Sequence, residues 1–81
     1  MNVTVKMSGM IAKIVPGSAE GIEVKLLEGA TVGSLMTRLG LPGHETYLVI
    51  VNDSTVSQDR RAMHKLSDGD RIAIVPPLKG G

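Results

Sequence analysis

The chain has 81 residues, 42% of them hydrophobic, with nine basic and eight acidic side chains and a formal net charge of +1. That length sets one domain with a modest core and no room for an enclosed active site of ordinary size. Near-balanced charge and a single aromatic residue, Tyr47, supply neither a basic surface nor a stacking platform for nucleic acid, and zero cysteines exclude disulfides and thiol nucleophiles. The apolar runs reach only about five residues against the roughly 20 of a membrane span, so no membrane partner is expected. The first residues carry no basic segment followed by an apolar stretch, so no signal peptide is expected either. A cysteine-free small domain fits a cytoplasmic, reducing location.

Val3, Val5 and Met7 alternate with Thr4 and Lys6, the period of a half-buried strand. Ile11, Ile14 and Val15 either extend it or begin its return. The stretch from Pro16 to Gly21 reads as a turn, and Ile22, Val24 and Leu26 mark a second strand, antiparallel to the first. Val32, Leu35, Met36 and Leu39 then fall at i, i+3, i+4 and i+7, one buried face of a helix over Val32 to Leu39. Thr31 is its N-cap and Gly40 its stop, with Pro42 beyond. A two-turn helix is unstable alone, so it must dock on the sheet.

Tyr47 to Val51 is a continuous run rich in β-branched residues, read as a strand covered on most of both faces. Asn52 to Ser54 turns the chain, and Thr55-Val56 forms a short strand. Arg60 to Lys65 reads as polar and irregular, one helical turn at most, with Met63 and Leu66 as anchors. Ser67 to Asp70 is a turn in which Gly69 supplies positive φ and Asp68 bonds its own backbone. Arg71 to Val75 is the last strand, and Pro76 cannot donate a further ladder bond. The element order predicts an α+β domain, a mixed sheet with one helix across one face. The other face is either solvated or used by a partner.

Catalytic constellations are missing from this pattern. His44 and His64 stand 20 positions apart without carboxylates at metal-ligand spacing and read as surface histidines, so no metal is expected. Ser54 and Ser57 lack a nucleophile elbow. Asp53, Asp59, Asp68 and Asp70 are explained by turn chemistry. Gly29, Gly33 and Gly40 do not follow a strand with phosphate-loop spacing. The chain reads as something other than an enzyme, and what remains is its last stretch, VPPLKGG. Pro76 and Pro77 favour an extended path away from the sheet. Gly80 and Gly81 lack Cβ, so a narrow channel in a partner could enclose their backbone and exclude any larger residue. What such a channel receives is the Gly81 carboxylate, a poor electrophile until another protein converts it to an acyl adenylate or thioester.

Several segments carry a resemblance. "ATVGSLMTRLGL", "YLVIVND" and "LSDGDRIAIVPPLKGG" resemble the helix, the central strand and the closing segment of the MoaD/ThiS superfamily of ubiquitin-like sulfur carriers. Pro76-Pro77 tilts the likeness toward the small subunit of molybdopterin synthase. The stretch Ser57 to Lys65 is longer than the family's usual link, and the first hairpin lacks an arginine-containing pattern common in the molybdopterin carriers. The resemblance implies a ubiquitin-like β-grasp over residues 1–77 and a Gly-Gly tail over 78–81.

It also implies a cycle. An adenylyltransferase resembling ubiquitin-activating enzymes uses ATP to adenylate Gly81, and this chain binds no cofactor itself. A sulfur donor of cysteine desulfurase or rhodanese type converts the adenylate to a thiocarboxylate. An acceptor synthase, resembling the molybdopterin-synthase large subunit or thiazole synthase, takes the sulfur. Leu78, Lys79 and Gly80 would thread the partner's channel. If Ile72 and Ile74 face the helix, Ala73 and Val75 face outward and join Pro76 and Pro77 in a partner-binding surface. Molybdopterin or tungsten-pterin synthesis is favoured, with thiamine, tRNA-thiolation and cysteine-forming pathways open. The alternatives are a modifier joined through Gly81 to lysines of other proteins, and an interaction domain in which Gly-Gly plays no part.

Overall fold

The computed structural model describes residues 1–41 and 47–76. The first alternating segment forms strand β1 (Asn2–Met7), which buries Val3, Val5 and Met7 and leaves Asn2, Thr4 and Lys6 to solvent. The chain then leaves the sheet. Gly9–Lys13 is a 3-10 turn that buries Ile11 but leaves Ile14 about half exposed, so this stretch neither extends β1 nor starts its return. Ser18 closes the excursion. It is fully buried, its hydroxyl donates to the carbonyls of Val15 (2.7 Å) and Ala12 (3.2 Å), and its own carbonyl accepts from the Met7 amide. Every polar group of that buried serine thus has a partner, as burial requires.

Strand β2 (Ile22–Lys25) returns antiparallel to β1, with Val24 opposite Val3 and Ile22 opposite Val5. Helix α1 (Val32–Leu39) begins at Thr31 in a reciprocal cap. The Thr31 hydroxyl accepts from the Ser34 amide at 3.2 Å, and the Thr31 amide donates to the Ser34 hydroxyl at 2.8 Å. Gly40 ends the helix at φ +74°, a left-handed conformation that glycine adopts without Cβ penalty. Val32 and Leu35 are fully buried, each contributing about 1.5–3 kcal/mol of apolar transfer.

Strand β3 (Leu48–Val51) buries Val49 and Val51 but leaves Leu48 46% exposed and Ile50 half-buried. The expectation of a strand covered on most of both faces is therefore corrected: α1 lies on one face, and among the described residues no element covers the other. Asn52 and Asp53, both at positive φ, make the two-residue turn into strand β4 (Ser54–Val56). Strand β5 (Arg71–Val75) buries Ile72 and Ile74. The sheet order is β2-β1-β5-β3-β4, with β1 and β5 parallel and the other pairs antiparallel. A five-stranded mixed sheet holding one helix against one face is a ubiquitin-like β-grasp.

Between β4 and β5 the expected anchors change. Leu66 is buried, but Met63 is 75% exposed, and its place is taken by Arg61, which is buried. A 3-10 turn, Gln58–Arg60, lays this link across the start of α1. There the Arg61 carbonyl accepts from the Gly33 amide (2.9 Å) and the His64 carbonyl from the Val32 amide (3.0 Å). With the Thr31 hydroxyl serving the Ser34 amide and the Ser34 hydroxyl serving the Thr31 amide, all four N–H groups of the helix start that lack an i→i−4 partner are satisfied. The turn before β5 has Gly69 at φ +86°. The bond expected from Asp68 to its own backbone is not made; its carboxylate accepts from the Asn2 amide, and Asp70 serves the local turn by accepting from the Ser67 amide. The expected boundary between 77 and 78 lies outside the described residues.

Candidate functional site

Strand β5 is the structural origin of the tail. It sits in the middle of the sheet, paired with β1 up to Met7 opposite Ile74 and with β3 up to Leu48 opposite Val75. The Ser8 amide adds a bond to the Ile74 carbonyl at 3.2 Å. Pro76, half-buried, comes next. A proline at this place ends a doubly paired strand because it has no N–H to offer either neighbour. The described part of the chain thus ends at a point held by ladders on both sides. Pro77, Leu78, Lys79, Gly80 and Gly81, all singled out in the sequence, lie outside the described residues, as does His44.

The face of the sheet opposite α1 lies beside this end of β5. Ala73 and Val75 point to it, both half-buried. Register adds residues that the sequence did not reveal: Ile50 lies opposite Ala73 and Leu48 opposite Val75, with Lys6 on the other flank of Ala73. The result is a short apolar strip with a cation beside it. A shallow concavity of about 440 Å³ on this face includes Lys6, Ile50, Arg71 and Ala73. Leu48 and Ile50 escaped the sequence reading because every residue from Leu48 to Val51 is apolar, so alternation carried no signal there. At the far end of β5, Arg71 and Asp53 approach to 3.8 Å, but both are so exposed that the pair contributes little.

A second concavity, about 470 Å³, lies beside Tyr47, Val56, Arg60, Arg61 and His64. Its basic residues do not converge on an open site. The Arg61 guanidinium is turned inward, donating from Nη2 to the Tyr47 carbonyl, and its Nε is buried with no hydrogen-bond partner among the described residues. Desolvation lowers the Arg61 pKa from its ordinary value, though arginine remains charged at neutral pH. No group of three or more His, Cys, Asp or Glu side chains that could hold a metal is found among the described residues. The start of α1 is closed to anions by its own backbone partners. No described helix is long and apolar enough to cross a membrane.

Comparison with known proteins agrees with this architecture. The model of the ThiS family matches residues 12–81. No curated protein matches significantly. Among solved structures, SAMP1 from Haloferax volcanii is 20% identical, with full coverage of both chains and a TM-score of 0.71. Urm1 from Trypanosoma brucei is 17% identical over 99% of this chain and 95% of its own, with a TM-score of 0.69. A chain in the complex of subunits 1 and 2 of the molybdopterin-converting factor from Helicobacter pylori 26695 is 26% identical, with full coverage of both and a TM-score of 0.63.

Proposed function

The chain belongs to the ThiS family, ubiquitin-like carriers and modifiers, and on that premise we propose that it is a sulfur carrier whose reactive group is the Gly81 carboxylate. The observation that carries the reading is the family match continuing through residue 81. It is supported by the place of β5, a central strand paired on both sides up to Ile74 with β1 and Val75 with β3, immediately before that segment in the sequence. In this reading the globular part is a handle and the chemistry is finished by partners. An adenylyltransferase binds ATP and joins AMP to the Gly81 carboxylate, releasing pyrophosphate. A persulfide on a donor protein then displaces AMP to give an acyl disulfide, and a thiol cleaves its S–S bond by exchange, forming a new disulfide and leaving the thiocarboxylate on Gly81. The thiocarboxylate enters an acceptor synthase, in the way that the Helicobacter pylori neighbour is found with a second subunit. The strip Leu48, Ile50, Ala73 and Val75, with Pro76 at its end, is the proposed seat for these partners. Pterin-cofactor synthesis is the favoured pathway, with thiamine the next.

A second reading uses the same tail: Gly81 joined to lysines of other proteins, a role that the shared fold with an archaeal modifier protein keeps in view. One experiment separates the two. The purified chain is incubated with its adenylyltransferase, ATP, a sulfur donor and a cell extract that supplies lysine-bearing proteins, then recovered and weighed by intact-mass spectrometry. A gain equal to one sulfur replacing one oxygen, localised to Gly81, is expected. Lysine-linked conjugates without that gain would sink the carrier reading, and an unchanged mass would sink both.

A further inference from the structure

The start of the tail is not set by β5 alone. Gly9, at the exit of β1, has φ +63°, and a Cβ placed on it would meet Pro76 Cγ at 2.9 Å and Cδ at 3.5 Å. Carbon atoms do not pack at 2.9 Å, and the obstacle is a ring atom, not the free end of a flexible chain. The neighbouring Ser8 amide is bonded to the Ile74 carbonyl, so this loop is tied to the end of β5 and cannot simply move aside. Three other positive-φ glycines, Gly29, Gly40 and Gly69, have nothing within 4 Å of the same point, and at Gly17 and Gly21 the nearest atom is a side-chain methyl at 3.3 and 3.8 Å. Turn geometry therefore explains those three but not the close approach at Gly9.

We propose that Gly9 is a positioning residue for the tail: its missing side chain forms the shelf on which the Pro76 ring rests, and that contact sets the direction in which the residues after Pro76 leave. The inference rests on the reading of Gly81 as the reactive end. A side chain at position 9 would tilt the Pro76 ring away from the loop. The displacement would grow along the tail, so Gly81 would reach a narrow partner channel from the wrong angle while the domain itself kept its core.

The test is a double-mutant cycle read as kcat/KM for adenylation of the chain by its activating enzyme. Gly9→Ala and Gly9→Asn introduce the same Cβ, but asparagine tolerates positive φ better, so backbone strain and collision are told apart. Both are expected to lower kcat/KM by on the order of tenfold or more, since small misplacements of a reacting group cost that much. In the Pro76→Ala background, where Cγ is gone, adding Gly9→Ala is expected to cost nothing further. Gly69→Ala, also at positive φ but at the opposite end of β5, is expected to leave kcat/KM unchanged. Equal kcat/KM for wild type and both Gly9 variants, or an undiminished loss in the Pro76→Ala background, would overturn the proposal. The amide resonances of Leu78 and Lys79 provide a readout independent of the enzyme. They are expected to shift with Gly9→Asn and not with Gly69→Ala, and unchanged resonances overturn the shelf. Failure of the wild-type chain to be adenylated refutes the carrier reading instead, and the resonances still decide the shelf.

Discussion

Arg61 is where residue chemistry and fold stability meet most directly. Its buried guanidinium holds the Tyr47 carbonyl, and its own carbonyl holds the Gly33 amide, so one residue links the start of β3, the β4–β5 link and the first turn of α1. Truncation should remove both the hydrogen bond and the packed methylenes. Arg61→Ala is expected to cost about 2–3 kcal/mol in urea unfolding, because a buried charged hydrogen bond and the packed methylenes are lost together. Arg61→Met keeps most of the packed stem and sheds a desolvated charge, so it should recover roughly half of that loss. Equal losses for the two variants would refute a packing role for the stem. Composition and periodicity gave no sign of this residue; Arg60-Arg61 reads as a polar pair on a surface link. The reversal came from the fold, because only the packed link creates the enclosed space that an arginine stem fills.

At the scale of elements, α1 was legible in full. The apolar spacing, Thr31 and Gly40 set its limits locally, and all three act within one or two turns of the chain. Thr31→Ala is expected to lower stability by about 1 kcal/mol, the usual worth of an N-cap, measured as a lower urea midpoint at unchanged m. Leu35, fully buried beneath the helix, should cost about 2–5 kcal/mol as Leu35→Ala. The outer strip of the sheet behaves differently. Ala73 faces away from α1, so Ala73→Asp should leave thermal unfolding close to wild type while abolishing adenylation by the partner enzyme. A well-folded Ala73→Asp chain adenylated at the normal rate would remove this face from the docking surface. Alternation in β5 was readable because Arg71 and Ala73 interleave with Ile72 and Ile74, whereas β3 is apolar throughout and hid its exposed side.

At the scale of the whole molecule, the buried core among the described residues is complete by Ile74, and the last ladder pair is Leu48 with Val75. Removing Gly80 and Gly81 is therefore expected to leave the melting temperature within about 1 °C of the intact chain, since surface changes away from the core lie within roughly ±0.5 kcal/mol. The same truncation should end adenylation entirely. A truncated chain that melts several degrees lower would show that the tail contributes to the fold. By itself the sequence determined the elements whose causes are local: the period-two strands, the capped helix, the turn at Gly69 and the unusual ending, along with the classes of chemistry that its composition leaves out. The tertiary structure alone decided that β5 is central, that Leu48 and Ile50 share the face opposite α1 with Ala73 and Val75, that Arg61 displaces Met63 as an anchor, and that Gly9 meets Pro76. Each of these depends on which distant segments pair, and strand order and register are set by the burial of the whole chain, which no local window contains.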